Sequence, residues 1–267
     1  MTHSRNTELE GREGNEGREE TKDAKDRVGS PHMIIRSSDS ALVLITQPDH
    51  AALAGRIMRR WEADDFPQSP RRTDILAAVD LHDNGWHEVD SSPAVDPSTG
   101  DLLDFVTVPH DVRTGVWPRG VGRLSDRPYT AALVANHAVF VYDRYRADTQ
   151  WQPFFAEMTD LRDRHLAASG ASLDDLHHDY RFLRLGDLLS LTFCNAWPEP
   201  QADAFGYRIR FDGTRLTVSP DPFGGHEIPL EITARTLPKR RYESAGDAAR
   251  EWEAAAPVDV RGVAAGG

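Results

Sequence analysis

The amino-acid sequence predicts a mainly α protein, a helical bundle that carries a small antiparallel β-sheet formed by N-terminal and C-terminal strands. Three observations predict it. Apolar side chains recur at spacings of three and four in five segments between residues 49 and 196. Two short strand-like runs precede those segments, and three follow residue 205. Strands so short and few cannot bury a core alone, so they are expected to join into one sheet resting on the helices.

Residues 1–32 hold almost no large apolar side chains and are rich in Glu, Arg and Gly, so burial cannot offset the entropy of ordering them. They are expected to form a disordered tail. Order is expected from Met33, where MIIR and ALVLIT read as strands joined by the turn SSDS. Asp49 is suited to cap a helix whose apolar members are Ala52, Leu53, Ile57 and Trp61, with Arg56, Arg59 and Arg60 on the wetter side. His50 then falls in its first turn. Residues 63–71 contain two prolines and read as a loop, and Asp74–His82 as a helix apolar enough to lie in the interior.

From Gly85 to about 115, Pro93, Pro97, Gly100, Pro109 and Gly115 leave no room for a long helix, so this stretch is expected to be a lid, binding loop or annex. Helices are expected at 129–145, about 150–168 and about 172–196, the last ending before Trp197-Pro198. FGYRIRF and TRLTVSP flank Asp212-Gly213 as a hairpin, and IPLEITARTL adds a third strand. The domain is expected to span 33–240, with a surface helix in ESAGDAAREWEAAA and a loose tail making up 241–267.

Composition narrows the function classes. A net charge of -12 opposes a general nucleic-acid or anionic-membrane surface, so neither partner is expected. Cys194 is the single cysteine, which excludes an intrachain disulfide framework and a multi-cysteine zinc site and leaves it as a small buried hydrophobe. No run approaches a membrane span and the N-terminus lacks the apolar core of a signal peptide, so a cytoplasmic location is expected. The chain shows no serine elbow, no phosphate loop and no dinucleotide glycine fingerprint.

The segment ILAAVDLHDNGW, residues 75–86, delivers adjacent His82 and Asp83 from an apolar helix to a glycine turn. Imidazole and carboxylate both ligate divalent ions, but the pairs His110-Asp111 and His178-Asp179 show that the dipeptide alone means little. Helical context separates them. His50, His137 within AALVANHAVFVY and Asp187 within RLGDLLSLTF also lie on apolar helices, where a carboxylate is costly unless paired or bound to a cation. Each has an ordinary reading as well: a helix-start residue for His50, a helix-end residue for Asp83, a satisfied core histidine for His137. His110 follows Pro109 in the long loop, where it either closes over the centre as a ligand or stays exposed. His177, His178 and Asp179 read as a solvated face.

The order His50, then His82-Asp83, then Asp187 resembles the HD superfamily of metal-dependent phosphohydrolases, and GDLLSLTFC is similar to the D-x-L-S-L helix that often ends an HD core. The resemblance implies an HD-like bundle in which His50, His82, Asp83 and Asp187 bind a metal and His137 takes the place of the further histidine of two-metal members. QPDHAALAGRI, LHDNGW and YTAALVANHA together resemble a bacterial family known as domain of unknown function 3891, over about residues 33–240. That family implies no activity, and the long insert and terminal strands depart from a minimal HD domain.

With that ligand set, one or two divalent ions (Mn, Fe, Zn or Mg) are expected, two if His137 and His110 both join. The expected reaction is attack of a metal-activated water on a small phosphate ester or nucleotide. Asp83 would bridge the ions or orient the water, and His87, with Gln47, Asp49 and Asn84, would carry protons or support the ligands. Arg56, Arg123, Arg181 and Arg184 are candidate phosphate clamps, and Trp86 either walls a pocket or fills the core. The same ligands suit a di-iron oxygenase, and a third reading is a small-ligand sensing or binding module without turnover.

Overall fold

Ile34–Ser37 (β1) and Ala41–Ile45 (β2) form the expected N-terminal hairpin, with Ile34 opposite Ile45 and Ser37 opposite Leu42. The computed structural model describes residues 33–202 and 205–267; the tail expected at 1–32 lies outside the described residues. Helix α1, Gln47–Met58, is capped by Thr46, whose side chain accepts a hydrogen bond from the Asp49 amide. Pro48 has no N–H to donate and is tolerated in the first turn, which moves the cap upstream of Asp49.

Helices α2 (Arg72–Leu81), α4 (Pro128–Val141) and α6 (Leu173–Cys194) pack with α1 as the inner bundle, and α5 (Gln152–Ser169) lies on α4. Gly186 permits the close approach of α6, since a Cβ there would sit 2.8 Å from Met58 of α1 and 2.8 Å from Val79 of α2. α3, His110–Gly122, occupies the end of the stretch expected to hold no long helix. Pro118 and three glycines weaken its local propensity, but Val116, Trp117 and Val121 are buried, and tertiary packing outweighs propensity. Gly120 faces the turn after His82-Asp83, where an added Cβ would lie 3.0 Å from Asn84 Oδ1.

The expectation of a mainly α bundle with a small antiparallel sheet is corrected by the strands. β3 (Gln201–Ala202), β4 (Arg208–Phe211), β5 (Arg215–Ser219), β6 (Ile228–Pro238) and β7 (Pro257–Gly266) join the N-terminal hairpin in one curled, mixed sheet of seven strands. Its order is β1-β2-β6-β7-β5-β4-β3, antiparallel throughout except for the parallel pair β5 and β7. The segment expected to be a loose tail is therefore the strand that joins the two halves of the sheet. It pairs with β6 from Arg235 opposite Pro257 to Ile228 opposite Ala264.

Sheet and bundle share one core. Ile228, Leu230, Ile232 and Ala234 alternate inward along β6, and Phe193 at the end of α6 lies against β7 at Gly262, where a Cβ would come within 2.7 Å of its ring. Leu237 instead faces the opposite side of the sheet, with Met33, Leu44, Tyr242 and Ala248 of helix α7 (Ala245–Ala254). Among the described residues no helix is long and apolar enough to cross a membrane.

Candidate metal centre

His50 stands in the first turn of α1, His82 at the end of α2, Asp83 in the turn that follows, His137 on α4 and Asp187 on α6. Their donor atoms meet in two overlapping groups, His50, His82 and Asp83, and His82, His137 and Asp187; within each group the ligand atoms lie within 4.8 Å of one another. His50 Nε2 is 3.1 Å from Asp83 Oδ2 and 3.5 Å from Asp187 Oδ1. His82 Nε2 is 3.2 Å from His50 Nε2 and 3.4 Å from Asp83 Oδ2, and His137 Nε2 is 3.6 Å from Asp187 Oδ2.

All three imidazoles are held by the nitrogen that faces away. His82 Nδ1 donates to the Val79 carbonyl at 2.8 Å, which fixes its tautomer. His50 Nδ1 meets Ser190 Oγ at 2.7 Å, and that hydroxyl donates onward to the Asp187 carbonyl at 3.1 Å. His137 Nδ1 meets the Tyr180 hydroxyl at 2.9 Å. Anchoring of this kind turns Nε2 toward the other donors and is the usual support of a metal-bound histidine. Ser190, His50 and Asp83 also form a chain in the order of a hydrolytic triad. Ser190 is wholly buried and does not line the pocket, so its hydroxyl orients His50 and is no nucleophile.

The electrostatics fit a cation at this point. Burial alone would lower His82, but the Asp83 charge and Asp187 at 3.6 Å raise it to about 9. Burial lowers His137 to about 4, so its imidazole is neutral at pH 7 and ready to ligate. Burial would raise Asp187, yet His82 and the other two imidazoles hold its carboxyl well below the usual range. Two carboxylates and a shared cationic proton thus occupy a space whose donors, nitrogen and oxygen, suit Zn, Fe or Mn.

Trp86, Phe105, Trp117 and Tyr142 form an aromatic wall over these ligands, and Gln47 is the neutral polar residue of the lining. The stretch after Gly85 supplies Phe105 to this wall. The cavity is small, about 60 Å³, room for about four water molecules. Asp187, with 18 % of its side chain exposed, is the most open ligand and marks the mouth.

Other expected participants lie elsewhere. His110 is in the first turn of α3, not in a loop; its ring packs edge-on at 4.7 Å against Trp151, and it neither lines the pocket nor joins either ligand group. The helix begins at His110 with Pro109 at its N-cap, where the sequence predicts a loop. His87 is exposed and outside the pocket lining, and Asp49 is engaged by the Thr46 hydroxyl at 2.7 Å. Asn84 is buried behind the centre with Oδ1 unpartnered. Arg56 donates to the Glu231 carbonyl, Arg123 to the Asn84 carbonyl and Glu88, and Arg181 to Asp65; no arginine is among the residues lining the pocket over these donors. Arg184 lies one turn before Asp187 on α6. His178 pairs with Asp65 on the surface, but Asp179 is buried and held by Arg71 at 2.6 Å and Tyr129 at 2.7 Å, so the solvated reading fails for it.

Ser190 and Tyr180 were not among the expected participants. Spacing was the available signal, since Ser190 follows Asp187 by one turn and Tyr180 precedes it by two, all on one stripe of α6. The aromatic wall had no comparable signal.

Residues 33–239 match the sequence profile of the family described as "Protein of unknown function (DUF3891)", and the chain belongs to that family. No curated protein and no solved structure matches it.

Proposed function

For this member of the DUF3891 family we propose a metal-dependent hydrolase, related to the HD superfamily, that acts on a small phosphate ester or nucleotide in the cytoplasm. The observation that carries the reading is the set of three imidazoles, each anchored through Nδ1, whose Nε2 atoms converge with Asp83 and Asp187. His50, His82, Asp83 and Asp187 would hold one divalent ion, and His137 with Asp187 would hold a second. A bound divalent ion supplies an acidified water and polarises a phosphoryl oxygen. With an ion bound, Asp83, between His50 and His82, would orient a water and take up its proton. Trp86, Phe105 and Trp117 restrict bulk water, and Asp187 at the mouth sets the side from which substrate enters. The net charge of -12 accords with a small-molecule substrate and not a nucleic-acid or membrane partner.

The test is metal analysis of protein purified without added metal, then a screen of phosphate esters and nucleotides with Mn²⁺ and Mg²⁺. His82→Ala and Asp83→Ala should each lose metal and hydrolysis together. Hydrolysis that survives both substitutions overturns the proposal. One observation favours a second reading, a di-iron oxygenase: the pocket wall is aromatic and offers no cationic side chain to a phosphate. Substrate-dependent oxygen consumption by the iron-loaded protein, with no phosphate release, would select it.

A further inference from the structure

A second pocket, of about 350 Å³, opens beside α4 and α6 and is lined in part by Tyr180, whose hydroxyl meets His137 Nδ1. Two of its side chains, Arg184 and Asn136, make no hydrogen bond or ion pair among the described residues. Arg184 makes no ion pair or hydrogen bond among the described residues, whereas Arg181, one turn earlier, pairs with Asp65. Its guanidinium lies 4.0 Å from the ring centre of Phe140 and 5.3 Å from that of Phe205. Stacked in this way the guanidinium is fixed in a plane while its N–H edges stay free, the arrangement that recognises an oxyanion with two parallel hydrogen bonds. Asn136, only 8 % exposed, lines the same pocket, and its amide has no hydrogen-bond partner among the described residues. An amide on the lining with no protein partner is available to a ligand as both donor and acceptor.

The remaining lining sets the ligand's character. Arg146 adds positive charge, partly offset by its hydrogen bond to Asp143 at 2.7 Å, and His177 sits at the rim. Val139 and the rings of Phe140 and Phe205 supply an apolar wall, with Phe140 45 % exposed and Phe205 40 % exposed. The volume falls at the lower end for small-molecule sites, enough for about one ring with its substituent.

We infer that this pocket binds a small aromatic oxyanion, its phosphate or carboxylate held by the Arg184 fork and the Asn136 amide and its ring against Val139 and the phenylalanines. The site needs none of the five ligand residues of the metal centre, so it stands or falls separately from the hydrolase reading.

The experiment is calorimetric titration of metal-stripped protein, in chelator, with phenyl phosphate, benzoate and phenol. Phenyl phosphate or benzoate should bind, the tighter of the two identifying the anion, and phenol should bind at least tenfold more weakly than either. Arg184→Gln should weaken the anion by about tenfold or more, and Arg184→Lys, which keeps charge without the planar fork, should fall between it and the unmodified protein. Far-UV circular dichroism confirms that both variants fold. His50→Ala should leave binding unchanged. Absence of anion binding up to 10 mM, equal binding by Arg184→Gln, or binding lost in His50→Ala but kept in Arg184→Gln would each overturn the inference, and the last would place the anion at the metal centre.

Discussion

Loading metal-stripped protein with Mn²⁺ at pH 7 is expected to release about one proton per ion, and His82 is its source. Burial pulls this imidazole down, but Asp83 and Asp187 raise it from 6.5 to about 9, so about 99 % of molecules carry the charge at pH 7. Nδ1 is committed to the Val79 carbonyl, and the exchangeable proton therefore sits on Nε2, the atom turned to the other donors. His137, lowered to about 4, and Asp187, held well below the usual carboxylate range, have no proton to give at that pH.

Competition between one proton and one ion makes the apparent affinity rise about tenfold per pH unit from 6 to 8; at pH 7 it lies about a hundredfold, or about 3 kcal/mol, below the proton-free limit. Isothermal titration at pH 6, 7 and 8, in two buffers of different ionisation enthalpy, reads both quantities. Release of less than about 0.3 proton per ion, with an affinity flat across that range, would show that His82 is not the ligand exchanging its proton.

Four further outcomes follow from the same contacts. The raised value of His82 stabilises metal-stripped protein fully below pH 6.5 and is lost as pH climbs through about 9; thermal unfolding should reveal a loss of about 3 kcal/mol between pH 6 and 10, and a flat profile there would contradict it. Tyr180→Phe and Ser190→Ala remove the supports of His137 and His50 and should each weaken metal binding about tenfold to a hundredfold without unfolding the chain, which equilibrium dialysis would check. Gly186→Val meets Met58 and Val79 at 2.8 Å; a cost of about 1–3 kcal/mol in urea unfolding, with lower metal occupancy, is expected. Truncation after Ala256 removes β7 from between β6 and β5, so a truncated protein that still unfolds cooperatively at the full-length midpoint would refute the role given to that strand.

How much of the fold can be read from the chain depends on whether a segment's partners are written in its own pattern. β6 announces itself because Ile228, Leu230, Ile232 and Ala234 alternate with outward residues. β7 does not, because its second half is built of small residues, Gly262, Ala264, Ala265 and Gly266, and its two glycines are held small by the approach of Phe193 and Thr214 to Gly262 and of Asp221 to Gly266. The pattern that explains them lies on three other elements. α3 is hidden for a related reason: Gly120 gives the Asn84-Gly85 turn room to pack closely, so a residue that weakens the helix locally is one that eases its docking.

The site divides along the same line. His50, His82, Asp83, His137 and Asp187 were legible because a titratable side chain in an apolar helix needs a partner whatever the tertiary arrangement. His110 was misplaced because its position depended on where α3 starts, and that is decided by packing. The convergence itself is a property of helix contacts. Gly55 admits Asp80 so closely that a Cβ would lie 1.7 Å from its carboxylate, and Gly186 brings α6 against both α1 and α2. His50, His82 and Asp187 are therefore spaced by backbone approach between three helices, and a change in that spacing alters the ligand geometry without touching a ligand. This distinguishes the effect expected of Gly186→Val from a simple loss of stability: metal occupancy should remain low even under conditions in which the variant is fully folded, whereas a purely global defect would restore occupancy once folding is restored.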